Sequence, residues 1–409
     1  MNKKIIFKSI IATLLLSSIS LSATSYKDIE FNKDNLKIDN NIRFGYLLDR
    51  NTINGTSYDN YDFSSGGEIN LNYAINSEFE FKSSVYFNKS WNEEFGVAPI
   101  NLNGELSAYG EGSEYIYIGE AYMSYQPFYD TNVMVGYQSF NMPFFNAHDN
   151  RMTKNSFEAI AAEYIGIENM YFSVGYINRM AGKDVVAGTI SNSYEYMFNN
   201  VNIEAGRTAF ANVGIKVADI TTNLFYSNID QVTDMYYLTM ENTQEFGKNI
   251  SLDIAGEFSY LSEINKSGYT GMVYGGKGVI NYNKYKIGFA YDKSSVNLND
   301  NIYITKGISP YYTTSQLYSI DMIKEDATAY RFTAALESKI KNKKFTTEFS
   351  YSYYISDITF GTEITEIDLL ASYNYNDNIS LDLFVSDVIN ENVANTDSLT
   401  VFTRINVKF

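Results

Sequence analysis

"DSLTVFTRINVKF", residues 397–409, ends the chain on an aromatic residue, and its alternate positions differ in kind. Phe409, Val407, Ile405, Thr403, Val401 and Leu399 make one face, mostly apolar; Lys408, Asn406, Arg404, Phe402 and Thr400 make the other, mostly polar. A period of two marks a strand with two unlike faces. The last residues of a soluble domain normally fray in water. A strand patterned up to its final phenyl ring is expected to be a working part of the fold, with its greasy side outward and its polar side inward.

The same alternation recurs along the chain. In "ISLDIAGEFSY" (250–260), Ile250, Leu252, Ile254, Phe258 and Tyr260 lie opposite Ser251, Asp253, Ala255, Glu257 and Ser259. In "KFTTEFSYSYYI" (344–355), Phe345, Phe349, Tyr351, Tyr353 and Ile355 lie opposite Lys344, Thr346, Glu348, Ser350 and Ser352. The pattern predicts strands over 36–47, 66–75, 78–88, 115–125, 131–138 and 158–165. It continues over 169–178, 209–217, 220–228, 234–242, 250–260 and 271–282, then 285–293, 327–340, 344–355, 363–374, 378–389 and 398–409. That makes 18 strands; merging a hairpin within 139–165 or 179–245 would make 16.

The spacing decides the class. Tight connections at Asn76-Ser77, Gly166–Glu168, Asn283-Lys284, Lys341–Lys343 and Asn376-Asp377 alternate with long stretches at 89–114, 139–157, 179–208 and 294–326. An even-stranded transmembrane antiparallel β-barrel alternates short periplasmic turns with long extracellular loops in this way. Hydrocarbon offers no hydrogen bonds, so a sheet in lipid must close on itself. Strands of about 9–11 tilted residues cross the core. Aromatic residues near the strand ends fit interfacial girdles: Tyr46, Tyr73, Phe87, Tyr125, Tyr176, Tyr260, Tyr291, Tyr353 and Tyr375.

The N-terminus sets the route. Lys3, Lys4 and Lys8 flank the short apolar run "IIFKSIIATLLL", and the small-residue stretch "SSISLSATS" follows. This is the layout of a secretory signal peptide, predicted over 1–22 with Ser20 and Ser22 before the cut; a cut after Ala23 is the alternative. The barrel domain is then 23–409. Removing the signal shifts the formal charge from −17 to −20, since it takes three lysines and no acids. An acidic balance of that size opposes nucleic-acid binding. No cysteine occurs, so thiol chemistry and disulfides are excluded.

One stretch is distinctive: "TNVMVGYQSFNMPFFNAHDNRMTKNSFEAIAAEYIGIENMYFSVGYINRMAGKD", residues 131–184. Its strand "VMVGYQ", Pro143, Asp149-x-Arg151-Met152, the pair Phe157-Glu158 and "N-x-x-F-x-x-G-Y-x-x-R" from Asn169 to Arg179 resemble the OprD-type outer-membrane porin family. That family includes major porins of epsilon-proteobacteria. The N-terminal "LKIDNNIRFGYLLDR" and the closing aromatic strand are similar but less specific. The resemblance implies an 18-stranded pore in a Gram-negative outer membrane, often trimeric, with the loop at about 139–157 folded inward to narrow the channel. Members selecting charged substrates carry a ladder of lumen arginines. This chain has few arginines. Arg43, Arg331 and Arg404 share lumen parity with Lys37, Lys82, Asp253, Glu257, Glu337, Glu348 and Asp382, a mixture that spells no single substrate.

These readings converge on a water-filled diffusion channel for ions and small hydrophilic solutes, mildly cation-preferring because of the acidic excess. Part of that excess is expected on extracellular loops, at Asp59, Asp62, Glu93, Glu94, Asp300 and Asp326, where salt screens it. The constriction candidates are His148, Asp149, Arg151 and Lys154 on the inward loop, facing Arg43 and Arg331 on the wall. Asp149 and Arg151 have a second reading, as braces of the loop. His148 has one as a surface residue.

Two rivals are a structural or adhesive barrel without a pore and a barrel-type hydrolase. The hydrolase would have to route its chemistry through His148, the single histidine, and no positioned serine accompanies it. "YGGKGVI" (274–280) lacks the spacing and helix of a phosphate loop; its glycines are expected to relieve crowding or bend the strand. No cofactor is implied. Oxygen-rich loops such as "NLNDN" (297–301) offer Ca²⁺ ligands without the spacing of a calcium-binding hand. The expected partners are outer-membrane lipid and lipopolysaccharide, the outer-membrane assembly machinery through Phe409, and two further copies in a homotrimer.

Overall fold

A chain whose strands carry lipid-type side chains on one face must pair every strand on both edges, and the computed structural model does this. It describes residues 35–91, 115–182, 207–297, 300–323, 326–356, 361–390 and 396–409. The predicted signal peptide, the loop residues Glu93 and Glu94, and the middle of "NLNDN" lie outside the described residues.

The first strands are β1 (Leu36–Ile53), β2 (Thr56–Ala74), β3 (Phe79–Ser90), β4 (Tyr115–Phe128), β5 (Thr131–Gln138) and β6 (Ser156–Ile167). Next come β7 (Met170–Ala181), β8 (Thr208–Val217), β9 (Ile220–Ile229), β10 (Thr233–Glu245), β11 (Ile250–Glu263) and β12 (Gly271–Tyr282). The ring is completed by β13 (Tyr285–Ser295), β14 (Ala327–Ile340), β15 (Lys343–Ser356), β16 (Glu363–Asn374), β17 (Ile379–Asn390) and β18 (Thr396–Lys408). Each strand pairs with its sequence neighbours, and β1 closes on β18 from Asn41↔Lys408 to Ile53↔Thr396. The barrel is closed, antiparallel and 18-stranded. Phe409 completes the seam: its carbonyl accepts from the Asn40 amide at 2.9 Å, and its own amide donates to Asn40 at 3.2 Å.

The faces sort as the alternation requires. Ile254, Phe258, Tyr260, Phe349, Tyr351 and Ile405 are exposed on the outer surface, while Glu257, Ser259, Ser350, Ser352 and Asn406 are buried on the inner one. Tyr46, Tyr176, Tyr260 and Tyr375 are exposed as a girdle demands. Tyr73 departs from that expectation: it sits directly opposite Phe81, and both are buried. The turns on the terminus side are short, and several use left-handed residues such as Asn283, Lys341 and Asn342.

Two regions differ from the sequence reading. The first hairpin runs much farther, because Asn54-Gly55, both left-handed, forms a tight turn between two long strands. Asp59 and Asp62 therefore lie on β2 and not on a loop. Asp59 pairs with Arg50 at 2.6 Å, and the buried Asp62 carboxylate accepts from Ser64 at 3.0 Å. The second difference lies in the connection between β13 and β14, read as an extracellular stretch. It folds into the lumen and carries one turn of 3-10 helix at Ile320–Met322. Its Ile302, Ile304, Tyr311, Ile320 and Ile323 bury themselves with Phe144 and Phe145 of the β5–β6 loop against inward Phe225, Ile229, Met235 and Tyr237. A second cluster joins Met152 of the β5–β6 loop to Leu47, Phe384 and Phe402 across the barrel.

Candidate functional site: the two inward loops and the lumen wall

The β5–β6 loop enters the lumen where β5 ends at Gln138 and reaches the β1–β18 wall through charge. The Arg43 guanidinium makes a two-point ion pair with Asp149, at 2.5 and 2.8 Å. It also donates to the carbonyls of Arg151 at 2.9 Å and Met152 at 3.3 Å. Arg404 grips the same turn, donating to the Arg151 carbonyl at 2.9 Å and the Asp149 carbonyl at 3.3 Å, and pairs with Asp382 at 3.1 Å. A planar guanidinium with several fixed donors suits such shared gripping, which a lysine could not reproduce. The Arg151 side chain lies over the Phe402 ring, 5.5 Å from its centroid. Lys154 turns to the other side, toward Glu68 at 3.2 Å and Glu120 at 3.8 Å. His148 takes a left-handed backbone, φ 46°, at the tip.

Charge at this tip is set by competing terms. Burial works to raise the Asp149 carboxyl, but the hydrogen bond and charge of Arg43 outweigh it and hold the group below the usual value. Burial likewise opposes the charge on Lys154, and Glu120 and Glu68 more than offset that, raising it.

The β13–β14 loop is held by the opposite chemistry. Wall carboxylates accept its backbone amides. Glu257 on β11 receives Tyr312 at 2.7 Å, and Asp292 on β13 receives Thr313 at 2.8 Å. Glu366 on β16 receives Leu317 at 2.9 Å and Tyr318 at 3.0 Å. Arg331 on β14 donates to the Thr314 carbonyl at 2.6 Å and pairs with Glu348 at 3.3 Å. Gly275 makes room for this grip: a Cβ there would meet the Asp292 carboxylate at 1.7 Å. A Cβ on Gly276 would crowd only the Ala255 carbonyl, at 3.1 Å, and one on Gly278 would meet nothing, so lumen crowding by a wall side chain explains the first glycine of that run only.

The loops are tied to each other through Asn146. Its side-chain amide donates to the Ile308 carbonyl and accepts the Ile308 amide, both at 2.9 Å. What remains open is a chain of cavities. One of about 910 Å³ is lined by His148, Asp149, Tyr171, Glu241, Lys277, Tyr312, Arg331 and Glu348 among others. Asp149 and Glu348 also border a second of about 400 Å³, which includes Arg151, Asp382 and Arg404. Asp149, Asp382 and Arg404 border a third of about 690 Å³, which includes Arg43 and reaches Phe409.

Residues 127–339 match the family described as outer membrane porin, OprD family. The chain belongs to the OprD porin family. The solved structures this porin resembles include Pseudomonas aeruginosa OccK9 (OpdG), at TM-score 0.76 and 10% identity, covering 93% of this chain and 100% of that one. Acinetobacter baumannii OccAB3 aligns at TM-score 0.72 and 13% identity, covering 92% of this chain and 100% of the other. Pseudomonas aeruginosa OpdK, solved with vanillate, aligns at TM-score 0.71 and 10% identity, covering 92% and 99%. Comparison with curated proteins finds no match. The family and barrel are those of an outer-membrane channel of Gram-negative bacteria for small solutes.

All six constriction candidates are loop or lumen-wall residues of the inward loops' surroundings. Arg43, Asp149 and Arg151 meet in one cluster on the β1–β18 side. Lys154 belongs to the Glu68–Glu120 group, and Arg331 serves the other loop. Sequence reasoning placed Glu257 at lumen parity without its role, and missed Asp292 and Glu366; all three hold the β13–β14 loop. A signal was present: Phe402, Phe384, Phe225 and Tyr237 are aromatic at lumen parity, and an aromatic wall inside a water-filled barrel implies something apolar packed on it.

Proposed function

We propose that this porin is a passive diffusion channel for ions and small hydrophilic solutes, mildly cation-preferring. One observation supports the sign: in the lumen ion pairs of the three wall arginines the carboxylate faces the water and the guanidinium faces the loop backbone. Side-chain exposure is 43% for Asp149 against 5% for Arg43, 40% for Glu348 against 16% for Arg331, and 27% for Asp382 against 14% for Arg404. Charges that line a pore set its selectivity, and those presented to water dominate the local field. Lys154 is the counterexample, slightly more exposed than its partners. It moderates the preference without reversing it.

The test is a reversal potential across a planar bilayer in a KCl gradient. The expected result is selectivity for K⁺, reduced by Glu348→Gln and Asp382→Asn together; anion preference, or absence of single-channel steps, would overturn the reading. We further propose that Phe409, two-thirds exposed at the seam, addresses the chain to outer-membrane assembly, and that lipopolysaccharide contacts and a homotrimer complete its setting. Normal outer-membrane levels of a chain lacking Phe409 would contradict the first of these.

A further inference from the structure

The terminus-side rim carries a concentration of positive charge that the conduction reading does not use. The turn "KIKNKK" (339–344) holds four lysines in six residues of a chain with an acidic excess of 17. Lys339 sits directly opposite Lys344 in the β14–β15 pairing, and Lys341 occupies the left-handed turn itself. Like charges directly opposite across a strand pair are destabilising. Beside them opens a cavity of about 330 Å³, lined by Lys343, Lys344, Lys408, Asn342, Asn374 and Ser380 among others, with Asp377 its single carboxylate. The far wall is fixed: the Asn376 side chain accepts the amides of Asn378 and Ile379, and the Lys408 amide donates to the Asn378 carbonyl at 2.8 Å. Among the described residues no carboxylate forms an ion pair with Lys341, Lys343 or Lys408. The nearby Glu337 is taken by Lys286 at 2.9 Å.

We propose that this rim pocket binds a phosphate group of a small solute on the periplasmic side. Lys344 and Lys408, at inward positions of β15 and β18, line this polar cavity with Lys343 beside them at the rim, and can donate to the oxygens of a group that carries three acceptor oxygens and up to two charges. The flanking asparagine amides and the Ser380 hydroxyl supply neutral donors, and a bound anion removes the lysine–lysine repulsion. A single carboxylate offers fewer acceptors and less charge, so it binds more weakly here.

The experiment is calorimetric titration of inorganic phosphate into the refolded porin in neutral detergent, with acetate as the carboxylate comparison. Saturable phosphate binding is expected, stronger than acetate. It should weaken roughly tenfold or more in the Lys343→Gln, Lys344→Gln, Lys408→Gln variant. Lys266→Gln, on the opposite rim between β11 and β12, tests loss of a lysine away from the pocket and should leave binding unchanged. Heat-modifiable gel migration verifies that each variant is a folded barrel. Absence of saturable binding at millimolar phosphate, equal weakening in the control, or acetate binding as well as phosphate would each overturn the proposal. Binding in detergent is independent of conductance, so a failed channel reading would leave this result standing.

Discussion

The two inward loops solve one problem with opposite charges. The β5–β6 loop offers its carbonyls, and the wall answers with guanidinium groups: Arg43 and Arg404 converge on the Arg151 carbonyl, each at 2.9 Å. The β13–β14 loop offers its amides, and the wall answers with carboxylates, Glu257, Asp292 and Glu366. A loop drawn into a lumen loses water from its backbone groups, and each buried donor or acceptor must find a partner. A charged side chain on a rigid strand is a strong partner at fixed position. The first loop is thus also an ion-pair partner to its wall, through Asp149, whereas the second is held chiefly through its main chain. The first should respond to loss of charge, and the second to loss of acceptors.

The sharpest way to break this contrast is Glu366→Ala. It removes the acceptor of the Leu317 and Tyr318 amides and of the Ser315 and Ser386 hydroxyls at once. Each buried donor left alone costs about 1–3 kcal/mol. The β13–β14 loop should undock while the barrel stays closed. The readout is limited proteolysis: new cleavage is expected within 310–318, with the β5–β6 loop protected as before. Cleavage in both loops at equal rates would mean that they are a single unit. Arg43→Ala comes next. Removing one partner of a buried pair costs about 3–5 kcal/mol, but Asp149 reaches water, so about 1–3 kcal/mol is expected here. Cleavage should appear near 148–152, and K⁺ selectivity should rise as Asp149 loses its partner.

How legible this arrangement was depends on the kind of pattern involved. The strands were readable because lipid on one side and water on the other impose alternation residue by residue; β5, β12, β14 and β16 end where the period does. The inward β5–β6 loop was readable only through resemblance, since Pro143 and the Asp149–Arg151 spacing say nothing of direction by themselves. The β13–β14 loop was legible only indirectly, from the wall aromatics Phe225 and Tyr237 on which it packs, and not from its own residues. Nothing within 300–323 distinguishes amides solvated outside from amides received by Glu366. Arg43 was identifiable as a lumen residue, but its choice of the Arg151 and Met152 carbonyls over open water depends on where Met152 packs beside Leu47 and Phe402.

A smaller perturbation asks whether the two regions communicate. Asn146→Ala removes both hydrogen bonds to Ile308, leaving the charged grips intact. Each is a neutral, solvent-facing bond worth about 0.5–1.5 kcal/mol. The variant should make the effects of Arg43→Ala and Glu366→Ala closer to additive, since contacting regions couple by about 0.5–3 kcal/mol and separated ones do not. Measured with proteolysis rates in a double-mutant cycle, unchanged coupling would show that the link is carried by the main-chain bonds of Phe144 and Asn146 with Lys306 and by the packing of Phe144 and Phe145.

The finest contrast is in pH. Asp321, buried in the β13–β14 loop and bonded by Thr305 and Ser309, is pushed up by burial from 3.8 to about 6. The folded loop therefore prefers the neutral acid. That contribution is complete below about pH 4 and is lost as pH rises through 6. For Asp149 burial raises the carboxyl, but Arg43 outweighs it and the net value is depressed. Its contribution is complete above the ordinary value and is lost only as pH falls below it. Lowering the pH from 7 to 5 should tighten the second loop by about 1 kcal/mol and leave the first unchanged. Below the ordinary carboxylate range the first should loosen. Asp321→Asn, neutral at every pH and nearly the same shape, should make proteolysis of the second loop independent of pH between 5 and 7 while the acid loosening of the first persists. A pH response surviving in Asp321→Asn would transfer the effect to the wall carboxylates that grip the same loop.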